Sequence, residues 1–159
     1  MFGDTLFMVC DTDSPIFKSS RPLAYRSICR IVCECKSEIA LSKKYLATCV
    51  RVLHKGLNSA DASDYETIIS YSDKIFLLDL NGVHILLNDY LQTARALLSE
   101  ELTSTSTKIK AMKILASLLC YYSRYRGFKG ICIGMKEKFE YSSLREVLTE
   151  VFVKFLRNY

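Results

Sequence analysis

Tryptophan is absent from this chain of 159 residues, proline occurs twice and glycine six times. A β-sandwich or barrel needs a turn roughly every 8 to 12 residues, and so poor a supply of turn formers argues against one and for helices. Histidine is scarce as well: His54 and His84 stand apart, and no second cysteine pair matches the first at zinc-finger spacing, so no metal is expected. The glycine loop that cradles phosphates is missing, as are paired acids or a nucleophile beside a base. The chain is therefore expected not to be an enzyme, with no catalytic residues and no cofactor. No apolar run approaches the about 18 to 20 residues of a membrane span. The opening stretch MFGDTLFMVCDTDS carries Asp4 where a signal peptide would carry bases. A cytoplasmic product is expected, with peripheral attachment to an organelle surface such as the mitochondrion as the variant.

What is present is apolar and unevenly charged. Half of the residues are hydrophobic, enough for one domain with a genuine core. The net charge of +5 divides into nine basic and five acidic groups over 1–55, two and eight over 56–102, and eleven and four over 103–159. The acidic middle complements the basic ends. The bases lie singly among apolar residues instead of forming a stripe, which speaks against nucleic acid. Seven cysteines, an odd number, fall largely inside apolar helical patterns and suit reduced, buried thiols. Cys29 and Cys33, one helical turn apart, are the sharper alternative as a metal pair.

Residues 1–20 lack a helical period and read as an extended N-terminal arm with a short strand at TLFMVC, able to pair with a second copy. Residues 21–159 read as the helical domain. From Pro22, Leu23, Ile28, Ile31, Val32, Cys35 and Ile39 mark a first helix. Ser42 caps a second, carrying Leu46, Cys49, Val50, Leu53 and Leu57 at spacings of three and four. A third runs through YETIISYSDKIFLLDL to the turn at Asn81-Gly82, and VHILLNDYLQTARALLSEEL forms a fourth, strongly amphipathic one. The hydroxyls of TSTST cap a fifth. The glycine-bearing stretch RGFKGICIGMKEKFE takes no assignment, and Ser142 or Ser143 with Glu146 makes a capping box for a sixth helix. No internal repeat is visible.

The fifth helix, from about Lys108 to Arg124, holds ten consecutive uncharged positions, Ile114 to Ser123. Its apolar residues cover nearly the whole circumference, so it is expected to be the core's central post, enclosed by the others. Lys108, Lys110 and Lys113 stand in its first turns, where the macrodipole is already positive. Either they are solvated, or an acidic partner group arrives there. His54 lies five residues from Cys49, off its face, and Tyr121, Tyr122 and Tyr125 read as packing groups.

At these residues the chain resembles the Bcl-2 family of apoptosis regulators, above all its divergent viral members. That family opens its central helix with Asn-Trp-Gly-Arg and Ile-Val-Ala. Here Lys110-Ala111-Met112-Lys113 and Ile114-Leu115-Ala116 stand in those places, with Lys113 for the arginine. VLHKGLNSA resembles the Bcl-homology 3 (BH-3) motif at Val52 and Gly56, with Leu57 where the family has Asp, and LREVLTEVFVKFLRNY resembles the sixth helix of the family. The resemblance spans about residues 22–159 and implies a Bcl-2-like helical bundle around a central hydrophobic helix.

It further implies an apoptosis inhibitor of viral origin, acting at the interface of host and virus. A surface groove would sequester the BH-3 motif helix of pro-apoptotic host proteins. Val50, Leu53, Leu57, Phe76, Leu86, Tyr90, Leu97 and Met112 would line it, and Lys113 would meet the ligand's Asp. The alternative is a viral Bcl-2-like scaffold that inhibits innate immune signalling by binding adaptor proteins through other faces, with a homodimer expected.

Overall fold

The computed structural model describes residues 2–34, 42–120, 130–133, 138–141 and 144–157. The class is all-α: the described residues form seven α-helices and one pair of short strands. The first departure from the sequence expectation comes at once. Phe2–Asp11 is a helix, α1, and not an extended arm. Phe7 and Cys10, one turn apart, are buried, and Phe7 packs on Tyr45 with ring centroids 5.0 Å apart. An apolar face with a tertiary partner outweighs a weak local period. The segment thus belongs to the helical body.

α2 (Arg21–Glu34) carries Pro22 in its first turn, and α3 (Lys43–Leu57) starts at Ser42, whose Oγ accepts from the Tyr45 amide at 3.2 Å. α4 (Ala62–Tyr71) is capped by Asp61 and stops short of the expected end, because Ser72 leaves the helix and a 3-10 turn, Ile75–Leu77, follows. Gly82, at φ 86°, opens a second such turn, Val83–Leu86, which runs into α5 (Leu87–Ser99). α6 (Thr105–Cys120) is capped by Ser104, whose Oγ accepts from the Thr107 amide. The unassigned stretch contains β1 (Gly130–Ile133) and β2 (Lys138–Tyr141), antiparallel with Gly130 opposite Tyr141. α7 is Leu144–Arg157. Cys35, Ile39, Tyr121, Tyr122, Tyr125, Ser142 and Ser143 lie outside the described residues.

The helices stack in two layers. Each packs on the next, and each also packs on the next but one: α1 on α3, α3 on α5 and α5 on α7 form one layer, α2 on α4 and α4 on α6 the other. Helices three apart in sequence make at most marginal contact. β1 lies against α5 and β2 against α7. This is how helical repeat proteins build a core, by successive hairpins that each touch only their neighbours, here without a sequence repeat.

Among the described residues α6 packs on α4, α5 and α7 but is not ringed by helices on every side. α6 buries Ala111, Ile114, Leu115 and Leu118, while Ala116 is exposed and Ile109 and Leu119 remain 52% and 41% exposed. Its greasy circumference faces two ways: one side fills the core against α4 and α5, and the other lies on the surface. Among the described residues no helix is long and apolar enough to cross a membrane.

Ion pairs, and one histidine–carboxylate hydrogen bond, link helices within each layer. Arg51 on α3 binds Asp11 at 2.7 Å, His54 on α3 meets Asp89 on α5 at 2.7 Å, and Arg95 on α5 reaches Glu150 on α7 at 3.3 Å. In the other layer Arg21 on α2 meets Asp64 on α4 at 3.4 Å, and Lys110 on α6 meets Asp73, just past α4, at 2.7 Å. Arg26 of α2 also lies over the Tyr71 ring of α4, 4.8 Å from its centroid.

Where α2, α3 and α4 meet, Gly56 allows the closest approach. A Cβ there would lie 2.5 Å from Ile68 Cδ1 and 2.6 Å from Tyr25 Cζ. Gly56→Ala would gain about 1 kcal/mol of helix propensity but overpack two buried side chains at about 1 to 3 kcal/mol. Contacts this short put the cost at the upper end of that range, so a net loss of about 2 kcal/mol is expected in urea unfolding followed by circular dichroism. An unchanged or higher midpoint would refute it.

Asp64, 1% exposed, accepts from Ser59 Oγ at 2.9 Å as well as from Arg21. Desolvation by burial holds its carboxyl above the ordinary 3.8 despite both partners. The folded chain therefore binds this proton more tightly than the unfolded chain, and the group's contribution to stability falls as pH rises from 3.8 through the folded value. The unfolding free energy of the wild type minus that of Asp64→Asn should decline across that window. A difference that stays flat or rises with pH would reverse the assignment.

Candidate functional site

The residues expected to line a groove separate into two groups. Leu53, Leu57, Phe76, Leu86, Tyr90 and Leu97 are buried in the core where α3, α4 and α5 meet. Phe76 and Tyr90 pack edge to face, 5.2 Å apart, and the Tyr90 hydroxyl donates to Ser72 Oγ at 2.8 Å. Burial pushes the Tyr90 phenol well up, so it stays neutral there as a hydrogen-bond donor. Val50 is half-buried against the same cluster. These side chains are buried and hold the layers together, so they are not the lining of an open groove.

Met112 and Lys113 belong elsewhere. With Ile109 and Ala116 they form the outer stripe of α6, and together with Phe152 and Phe155 of α7 they line a furrow of about 350 Å³. Thr105 and Lys108 close its end. The walls are almost wholly apolar. Positions 109, 112 and 116 share a helix face by their spacing of three and four, and 152 and 155 do so on α7. The furrow brings the N-terminal half of α6 beside the C-terminal half of α7. Among the described residues neither Lys108 nor Lys113 forms an ion pair, and Lys113 is exposed. The furrow is an apolar trough with two cations on its α6 side.

Ile109, Phe152 and Phe155 were not singled out by the sequence reading. Their signal is there in retrospect: α6 is apolar on more faces than one set of neighbours can cover, and α7 carries aromatics next to the Leu144, Leu148 and Val151 stripe that it buries.

Two polar clefts differ in kind. One, of about 610 Å³ beside the starts of α2 and α4, contains Lys18, Arg21 and Lys55, but each of these cations already has an acid: Asp61, Asp64 and Asp13. The other, of about 550 Å³, lies between α4 and the start of α6 and is lined by hydroxyls such as Ser70, Ser104 and Ser106. In the second, Glu34 pairs with Arg30 and Lys110 with Asp73, and Glu66 is left without an ion pair among the described residues, its carboxyl raised by burial and by Glu100.

Cys29 and Cys33 sit one turn apart on α2 as expected. Burial pushes the Cys10, Cys33 and Cys49 thiols up to about 12 and raises Cys29 too. Thiols so shifted are poor nucleophiles and poor metal ligands at neutral pH. Among the described residues no group of three His, Cys, Asp or Glu side chains is placed to hold a metal ion.

No family model matches the chain, and no solved structure matches it. Among curated proteins it is similar to the Ral GTPase-activating protein subunit alpha-2 of Mus musculus and to that of Rattus norvegicus, 28% identical to each over 127 residues. Those residues are 79% of this chain and 7% of either relative, so the chain matches a small part of a much longer protein.

Proposed function

We propose that the chain is a protein-interaction scaffold: a two-layered helical stack that binds amphipathic helices of partner proteins in the furrow between α6 and α7. The observation that carries this reading is the pairing of an almost wholly apolar trough with two cations at its edge, Lys108 and Lys113, that form no ion pair among the described residues. Helix in groove is the recognition mode such a surface suits, with apolar anchors supplying affinity and the lysines fixing register. The similarity to a segment of a subunit in GTPase-activating proteins supports the same class of work, since stacked helices commonly space and orient the parts of large subunits. It also agrees with the adaptor-binding scaffold weighed in the sequence. Among the described residues Cys10, Cys29, Cys33 and Cys49 are free thiols, which suits a reducing cytoplasmic setting.

A second reading, sequestration of a pro-apoptotic BH-3 helix, has one observation in its favour. Lys113, the residue that the resemblance pairs with the ligand's Asp, stands exposed beside an apolar furrow. The ligand would then lie on α6 and α7 and not between α3 and α5, where the lining residues are buried in the core.

Fluorescence anisotropy with a panel of labelled peptides separates these readings. The panel holds an acid-edged amphipathic helix, its base-edged counterpart, a BH-3 helix and a polar scramble. Saturable micromolar binding of the acid-edged helix, with none of the scramble, is expected. A BH-3 peptide that binds more than roughly tenfold tighter than the generic acidic helix would favour the second reading. Failure of every helical peptide to bind would overturn both.

A further inference from the structure

We infer that a second copy of this chain fills the furrow, in a two-fold dimer: Leu102 of each copy enters the furrow between α6 and α7 of the other, and Glu100 and Glu101 beside it meet Lys108 and Lys113 there. The inference takes from the scaffold reading that the furrow is a binding surface, and it names the occupant when no partner helix is bound.

The first argument is the fit of an exposed anchor to an open seat on one surface. Ile109, Met112, Ala116 and Leu119 follow one another along α6 at steps of three and four, so one face of the helix is apolar over most of its length. Ile109, Ala116 and Leu119 are exposed. Leu102, in the turn between α5 and α6, is fully exposed, the most exposed large apolar side chain among the described residues. A leucine held in water forgoes all of its burial free energy. It precedes Thr105, which closes the end of the furrow, by three residues, a reach of about 11 Å at most. Anchor and seat therefore share one surface, which is what an isologous contact requires, since each copy must offer what it receives.

Charge supplies the second argument and selects this mode of pairing. Two furrows laid directly on each other would gather four lysines along one trough. The turn of a second copy brings acid instead. Glu100 accepts from Thr103 Oγ1 at 3.3 Å, and neither Glu100 nor Glu101 forms an ion pair among the described residues. Lys108 and Lys113 form none either. Three of these four charges oppose their own helix: Glu100 is the C-cap of α5 and Glu101 follows it, at the negative end of the macrodipole, and Lys108 stands in the first turn of α6, at the positive end. Glu66 of α4 lies near enough for Glu100 to help raise its carboxyl, so this corner carries an excess of acid. Exchange of the turns between two copies sets four acids against four lysines beside an apolar surface, where such charge-assisted contacts are strengthened.

Sedimentation equilibrium of the whole chain tests this, with a reversible monomer–dimer equilibrium expected. Glu100→Lys with Glu101→Lys should weaken the dimer at least tenfold, and so should Lys108→Glu with Lys113→Glu. Far-ultraviolet circular dichroism should stay unchanged, because both reversals suit the dipoles of their helices. An equimolar mixture of the two variants should restore the dimer, since each turn then meets a furrow of opposite sign. Leu102→Ser, at a position outside the furrow, should dissolve the dimer and tighten binding of the acid-edged peptide severalfold by freeing the seat.

A wild type that sediments as a monomer at about 1 mM overturns the inference, and the scaffold reading stands if peptides still bind. A dimer indifferent to Leu102→Ser and to both reversals, or a mixture that stays monomeric, places the contact on another face and overturns it too. If the dimer behaves as expected but no peptide binds the Leu102→Ser chain, the furrow serves self-assembly alone: the inference holds and the partner-helix reading falls.

Discussion

The close approach at Gly56 is the constraint on which the architecture turns. α3 can lie against both α2 and α4 only if its backbone comes within contact of the Tyr25 ring and the Ile68 side chain, and any Cβ at 56 would push them apart. Because Tyr25 lies in the layer of α2 and α4 while Gly56 lies in the other, this one contact sets the distance between layers near the start of the stack. Tyr90, in turn, spans from α5 to Ser72 at the end of α4, with its hydroxyl satisfied in an otherwise apolar interior. The polar groups inside the stack thus serve registration between helices, and the apolar ones supply the driving force.

Electrostatics follows the same geometry. The ion pairs that join helices of one layer are partly exposed, and such pairs contribute little to stability individually. Their value is in register: Asp11 to Arg51, His54 to Asp89 and Arg95 to Glu150 recur along one layer at successive steps. Arg21 with Asp64 is the exception in burial, and the Arg21 Nε and Asp64 Oδ1 atoms find no protein partner. A buried pair of that kind costs desolvation that its own attraction offsets only in part, which is why the Asp64 carboxyl is raised despite a cation beside it.

Local signals were legible in the sequence, and long-range ones were not. Ser42 as a cap, Pro22 in a first turn, the turn at Asn81-Gly82 and the hydroxyl cap of α6 all stand where the residues suggested, because each depends on a side chain and a backbone group a few residues apart. The all-α class followed from the same accounting of turn formers. α1 was missed because its helix depends on Tyr45 and its other partners in α2 and α3, residues far away in sequence. The candidate site was half legible. Met112 and Lys113 do border an apolar furrow, but Leu53, Leu57, Phe76, Leu86, Tyr90 and Leu97 are core residues, and periodicity alone cannot tell a stripe that packs inward from one that waits for a ligand.

The same ambiguity explains α6. A helix apolar over most of its circumference admits two arrangements: enclosure by a ring of helices, or a place in a layer with a neighbour on each flank. Composition is identical in the two cases, since both bury all faces when complete. What distinguishes them is the pattern of contacts along the chain, and contacts between each helix and the next but one select the layer. In a ring the uncharged segment is satisfied from within. In a layer each flank is satisfied by a neighbouring helix, and the half-exposed Ile109 and Leu119 measure what the described residues leave uncovered on α6. A cation in the first turns of a helix opposes the macrodipole, and here acids on or beside the neighbouring helix compensate two such cations, Asp64 for Arg21 and Asp73 for Lys110.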